Sequence, residues 1–277
     1  MRISPRYDSK PIIDVDAVIT DPGAAVIRQR DRFADALREL TADEWQSQSR
    51  CSEWTVQDVI AHLVGVNRYW NFAMSAGARG EPTRVLAEFD PVAVPAQMVD
   101  AARGAPFGET LDGFVESNAQ LAATIEAFTD EDWSKLGEAP PGHIALRAVA
   151  AHALWDSWTH ERDVLIPLGR KQVIEDDELA TSLAYVVAIN PALRVAAGMV
   201  DSATLNVIGH EPEISLTAAV GNEVVVRPGL AETAAVTLED STVELIEALT
   251  CRVPAPEVAA EHRWLITGLA EAFDAPA

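Results

Sequence analysis

The stretch Ala148-Val149-Ala150-Ala151-His152-Ala153-Leu154-Trp155-Asp156-Ser157-Trp158-Thr159-His160-Glu161-Arg162-Asp163-Val164 contains neither Gly nor Pro and opens on alanines, a composition that predicts a helix. On a helix His152, Asp156 and His160 stack along one stripe, four residues apart. Neighbouring members of that stripe lie one turn apart, so an adjacent pair can hold one cation, whereas the outer two are too far apart to share it. A further ligand has to come from another segment. His62, in Val59-Ile60-Ala61-His62-Leu63, is the candidate. Its helix opens on the capping box Thr55-Val56-Gln57-Asp58 and continues apolar at Val59, Leu63, Val66 and Trp70, which sets His62 on or beside a buried face. One imidazole from this helix, with a carboxylate and an imidazole from the later one, makes the three-ligand set of a catalytic divalent-metal site with one position open. Asp156 with His160 is the preferred pair, and His152 then contacts substrate or supports a ligand; the swap to His152 with Asp156 stays open. Asp163 returns to the stripe and is placed either to orient a ligand histidine or to pair with Arg162 or Arg147.

Around these segments, Asp21-Pro22 starts a helix with Val26, Phe33, Leu37 and Leu40 at helical spacing, after an extended arm over residues 1 to about 20. The His62 helix is expected to end near Gly77 or Gly80, and residues 80 to 109, rich in Gly, Pro and Ala, read as a long crossover. A third helix after Thr110 presents Leu111, Phe114, Leu121, Ile125 and Phe128, with Asn118 on the same stripe, facing either the site or a core water. Leu40-Thr41-Ala42-Asp43-Glu44-Trp45 is echoed by Phe128-Thr129-Asp130-Glu131-Asp132-Trp133, and each precedes a helix bearing an Ala-His pair. This suggests two related helical hairpins in a four-helix bundle over residues 1–169. His143 reads as a turn or capping residue at the start of the fourth helix, His210 and His262 as surface or packing residues, and Trp45, Trp54, Trp133 and Trp158 as packing at the bundle ends.

Beyond Pro167-Leu168-Gly169 the pattern changes. A helix is expected over Glu178 to Asn190, stopped by Pro191. Alternating segments at 205–207, 214–216, 224–226 and 236–238, separated by Gly and Pro, predict strands. Helices capped by Ser241 and spanning Glu261 to Phe273 complete residues 170–277, an α+β domain with an antiparallel sheet faced by helices.

At 277 residues and 48% hydrophobic the chain can bury a sizeable core. A formal charge of −22 with 21 Lys and Arg argues against nucleic acid or an anionic membrane as partner. No apolar run is read as membrane-spanning and the start lacks a signal-like apolar region, so a cytoplasmic protein is expected. Cys51 and Cys251 are far apart and outside any CxxC, which leaves each as a small buried hydrophobe. Walker, GxGxxG and GxSxG motifs are missing from the sequence, which gives nucleotide and serine-hydrolase chemistry no support.

Cys51-Ser52-Glu53-Trp54-Thr55-Val56-Gln57-Asp58-Val59-Ile60-Ala61-His62-Leu63 resembles the Cys-Pro-Gly-Trp-Thr-Val-x-Asp-hydrophobic-hydrophobic-Ala-His-Leu signature of the mycothiol-dependent maleylpyruvate isomerase family, within the DinB-like superfamily of metal-binding helical bundles. The resemblance implies a DinB-like four-helix bundle followed by a small sterol-carrier-like α+β domain. It implies a divalent metal, typically zinc, on His62, Asp156 and His160, with Asp156 standing where the family has Glu. It further implies mycothiol as thiol cosubstrate and a small electrophilic substrate undergoing cis-trans isomerisation or S-transfer. In that setting His152 and Asp163 are the candidate catalytic residues. The rival from another class is a bundle that holds a metal or small ligand without turnover, for which His152 would complete a closed four-ligand shell.

Overall fold

A computed structural model describes residues 3–199 and 201–273. Helices α1 (Gly23–Arg38), α3 (Val56–Ala78), α5 (Phe107–Glu126) and α6 (Leu146–Leu165) form the bundle, with α2 (Ala42–Trp45) and α4 (Ala93–Ala102) in its connections. The packing runs as a ring: α1 contacts α5 and α6, and α3 contacts the same two helices. Two capping boxes fix entries to this ring. Thr41 and Glu44 cap α2, and Thr55 and Asp58 cap α3, each threonine hydroxyl accepting from the backbone three residues on while the acid accepts from the threonine N–H. The echo at Thr129 has the same local chemistry, because Asp132 Oδ2 accepts from the Thr129 N–H at 2.8 Å and a buried tryptophan, Trp133, follows. No four-residue helix forms there; a single 3-10 turn at Asp132–Ser134 leads into the hairpin β2 (Leu136–Ala139) and β3 (Gly142–Ala145). His143 therefore sits on a strand before α6, not in the helix, and its Nε2 lies 2.9 Å from the Thr83 carbonyl.

The crossover from 80 to 109 is more ordered than its composition suggests. Buried Glu138 on β2 gathers it: Tyr7 Oη and the Leu86 N–H donate to Oε1, and Thr83 Oγ1 and the Val85 N–H donate to Oε2, at 2.6 to 2.9 Å. A buried carboxylate with four donors needs no further partner. The hairpin also receives the N-terminal arm, whose Arg6 backbone bonds to Pro141 and His143 across Gly142, a glycine at φ +124° where a Cβ would stand 1.9 Å from the Arg6 oxygen.

Helix α7 (Asp176–Ala196) leads to a sheet in the order β1 (Ile13–Asp14), β6 (Val224–Pro228), β5 (Ile214–Val220), β4 (Ala203–His210), β7 (Val236–Ser241), with α8 (Thr242–Leu249), a 3-10 turn at Ala260–Leu265 and α9 (Gly268–Ala272). The sheet is mixed, not antiparallel. β4 to β6 form an antiparallel meander, but β7 runs parallel to β4 and the arm strand β1 runs parallel to β6. The arm thus lends a strand to the sheet of the other half of the chain. Pro191 does not stop α7, which continues for another turn, with the neighbouring Asn190 side chain bonded to the Val186 and Leu249 carbonyls and to the Leu269 N–H. Helix α7 is long and apolar enough to cross a membrane, contrary to the sequence reading, but most of it is buried inside the protein. A core helix shows the same composition as a membrane span. The terminal helix expected from 261 to 273 divides into the 3-10 turn and α9.

The two halves meet through charge as well as apolar packing. Arg32 on α1 reaches Glu161 on α6 at 2.9 Å and Glu178 on α7 at 2.8 Å, and both carboxylates are buried.

Candidate metal centre

His62 comes from the N-terminal third of α3, while Asp156 and His160 lie one turn apart on α6, and α3 packs against α6. One ligand atom from each lies within 4.8 Å of the others. Asp156 Oδ1 is 3.7 Å from His160 Nε2, and the His62 and His160 rings meet edge to face at 5.1 Å. Trp54, from the loop before α3, closes over both imidazoles with ring centroids 5.1 Å from His62 and 6.5 Å from His160. It packs, as the sequence reading held, but against this cluster.

The other nitrogen of His160 is fixed from behind. Its Nδ1 is 2.9 Å from Asp163 Oδ2. Arg252, from the segment after α8, holds the same carboxylate with Nε at 2.8 Å from Oδ1 and Nη2 at 2.7 Å from Oδ2, and Arg50 Nε lies 3.6 Å from Oδ1. The Arg50 N–H also donates to the Asp163 carbonyl, which pins the start of the signature loop to the end of α6. With Nδ1 committed to a carboxylate, Nε2 is the nitrogen presented to Asp156 and His62. Of the two pairings left open for Asp163, neither Arg162 nor Arg147 is used: Arg162 bonds Glu247 and Arg147 reaches Asp16.

Burial, with the positive charges of His160 and Arg252, holds the His62 pKa well below its ordinary value, so this imidazole is neutral and free to donate a lone pair. Burial raises the Asp156 carboxyl against the pull of His160 and Arg30. At His160 burial also disfavours charge, but the Asp163 bond, the Cys51 thiol and the Asp156 carboxylate outweigh it and push the pKa up to about 10. Burial opposes ionisation of Asp163 as well, yet His160 and Arg252 hold it well below the usual carboxylate range. The field therefore favours a positive charge at His160 and disfavours one at His62, which stays a neutral lone-pair donor. His62 Nδ1 and Asp156 Oδ2 are buried without a hydrogen-bond partner among the described residues. Two imidazoles and a carboxylate with orphaned atoms fit a divalent cation of intermediate softness.

His152 does not join this group. Its Nδ1 is 2.5 Å from the Tyr185 hydroxyl on α7, and burial pushes its pKa down to about 3, so it is neutral. Asn118 faces the bundle core, where its Oδ1 accepts from Asn67 while Asn67 Oδ1 accepts from buried Arg30. Cys51 was missed by reading it as a packing residue. It is half-buried, with Sγ 3.3 Å from Asp163 Oδ2 and 3.9 Å from His160 Nδ1. Its place at the head of the signature was the available signal. Arg252 carried none, because its loop lies far from α6 in sequence.

The model of the mycothiol maleylpyruvate isomerase N-terminal domain family matches residues 26–165, just over half of the chain. Two uncharacterized proteins of Mycobacterium tuberculosis, from strains CDC 1551 and H37Rv, are each 45% identical over 47 residues, which is 17% of this chain and 26% of their own length. The crystal structure of the mycothiol-dependent maleylpyruvate isomerase superposes with a TM-score of 0.59 at 15% identity, over 86% of this chain and 95% of that one. A histidine-to-alanine variant of that enzyme gives 0.59 at 14% identity with the same coverage. At such identities the likeness is one of fold, and it extends through the sheet as well as the bundle. On the match over residues 26–165, the chain belongs to the mycothiol maleylpyruvate isomerase N-terminal domain family.

Proposed function

We propose that this protein is a divalent-metal enzyme that uses a low-molecular-weight thiol, mycothiol by its family, to isomerise or transfer sulfur to a small electrophilic substrate. The observation that carries the reading is the convergence of His62, Asp156 and His160 with buried atoms left unbonded. These three residues would hold the ion, zinc by the donor set. A divalent ion there supplies the Lewis acidity that favours the nucleophilic, ionised form of a thiol at neutral pH. Asp163 orients His160 by accepting from Nδ1, and Arg252 and Arg50 keep Asp163 ionised. His152, neutral and tied through Nδ1 to Tyr185 one turn before Asp156, would act on the substrate as an uncharged hydrogen-bonding group. Trp54 shields the imidazoles from water. The N-terminal unit, residues 1–169, carries the ligands, and the unit from 170 to 277 walls the site through Arg252. A reduced, cytoplasmic setting suits a free thiol at Cys51 and a thiol cosubstrate.

The rival, a closed structural ion, needs a fourth protein ligand. His152, the residue for that place, is bonded to Tyr185 instead, which favours an open position. Calorimetry of mycothiol against metal-loaded and chelator-stripped protein tests the reading. Binding to the loaded form alone is expected. Equal heats from both forms, or none from either, would overturn it.

A further inference from the structure

Helix α4 touches α3 on either side of the turn that carries His62. Just past the end of α4, Arg103 donates from Nε to Asp58 Oδ1 at 3.3 Å and from Nη2 to the Glu53 carbonyl at 3.4 Å. Further back along α4, Met98 rests on Gly65, where a Cβ would stand 1.9 Å from the Met98 methyl carbon. Asp58 precedes His62 by about one turn and Gly65 follows it by nearly one, so the two contacts bracket the proposed ligand. Glu53 is also the neighbour of Trp54, whose ring lies over His62 and His160. The loop that carries this indole is therefore tied to the end of α4.

The hold on α4 is slight. Of its ten residues only Val99 is buried, and the Arg103 side chain is 50% exposed. A helix this short has little stability of its own and depends on what it packs against. Its flanks, in contrast, are fixed. Glu138 accepts from the Val85 and Leu86 N–H groups on one side, and Gln57 Nε2 donates to the Ala105 carbonyl at 2.8 Å on the other. Between Arg103 and Ala105 stands Gly104, at φ +89° with open space around it, where glycine has the freedom to act as a hinge. A lightly packed segment between two fixed points opens more readily than the helices beneath it. We propose that α4 is a lid over the cation site, latched by Met98 on Gly65 and by Arg103 on the Trp54 loop, and that it lifts to admit the thiol. The role given to the thiol rests on the functional reading above.

The test is histidine modification by diethyl pyrocarbonate in the full-length chelated protein, with each modified residue located by peptide mass spectrometry. His62 Nδ1 has no hydrogen-bond partner among the described residues, so its reaction waits on access. Arg103→Ala is expected to speed modification of His62 by up to about fivefold, the most that a partly exposed ion pair contributes. Gly65→Ala, whose Cβ pushes the Met98 methyl off its seat, should act in the same direction. Alanine at 65 strengthens α3 as a helix, so general loosening does not account for that rise. His152, bonded to Tyr185, should react at an unchanged rate in both variants. A His62 rate that neither variant alters, or equal rises at His62 and His152, would overturn the lid. Added zinc separates the two readings. Variant effects with no protection of His62 by zinc remove the cation site alone, and protection without variant effects removes the lid alone.

Discussion

Replacing His160 with alanine is expected to abolish stoichiometric binding of a divalent ion, read by metal analysis after equilibration with zinc and desalting. The argument is chelation. Asp156 and His160 are the one pair of proposed ligands carried by a single helix, and His160 alone is locked by a carboxylate that presents Nε2 to the cluster. Its removal leaves one imidazole and one carboxylate on different helices, so the loss should exceed the ~10–100-fold that disturbance of an outer hydrogen bond costs a metal site. His152→Phe provides the discriminating control. With Nδ1 engaged by Tyr185, His152 lies outside the ligand group and its replacement should leave metal content unchanged. Metal retained by His160→Ala and lost by His152→Phe would establish the swapped pair instead.

Arg32→Met is expected to destabilise the whole protein by about 3 kcal/mol at neutral pH, because removing one partner of a buried ion pair strands the other. The guanidinium bridges Glu161 and Glu178, both buried, and so ties α1 to α6 and α7 at once. Gln29 and Arg28 remain as lesser partners, which keeps the figure at the low end. The pH dependence has a definite sign. Burial raises the Glu178 carboxyl above its ordinary value even with Arg32 and Arg28 beside it. A carboxyl raised in the folded state contributes stability below its unfolded pKa and loses that contribution as pH rises through the folded one. Without Arg32 the raise grows, so the deficit should be largest at neutral pH and shrink in acid as the stranded carboxylates take up protons. Denaturant unfolding of both proteins from neutral to mildly acidic pH checks this. A deficit that does not depend on pH would assign it to lost packing.

The metal-ligand candidates were legible because their signals are local: a capping box with a histidine on a buried face, and an acid and a histidine one turn apart. Asp163 was legible for the same reason, with its partner left open between ligand histidine and arginine. What lay beyond reach was set by contacts between distant segments. Tyr185 on α7 draws His152 out of the ligand group, and nothing near position 152 announces it. Arg252 and Arg50 complete the charge balance of Asp163 from opposite ends of the chain. The parallel pairings of β1 and β7 depend on crossovers that strand periodicity does not encode. Glu138 orders the crossover through donors from the crossover itself and from the distant N-terminal arm, so Gly, Pro and Ala composition alone read it as plain connection. Pro191 failed as a stop signal because the flanking Asn190 and helices α8 and α9 hold α7 together past it.

X-ray absorption at the zinc edge of the loaded protein puts the central proposal to its most direct test, measured with and without mycothiol. Before the thiol is added the expected shell contains nitrogen and oxygen only, with multiple scattering from two imidazoles; after addition a sulfur should enter at about 2.3 Å. A sulfur already present in the thiol-free sample would place Cys51 on the ion, and a shell without imidazole would remove His62 and His160 from it; either result contradicts the proposed centre.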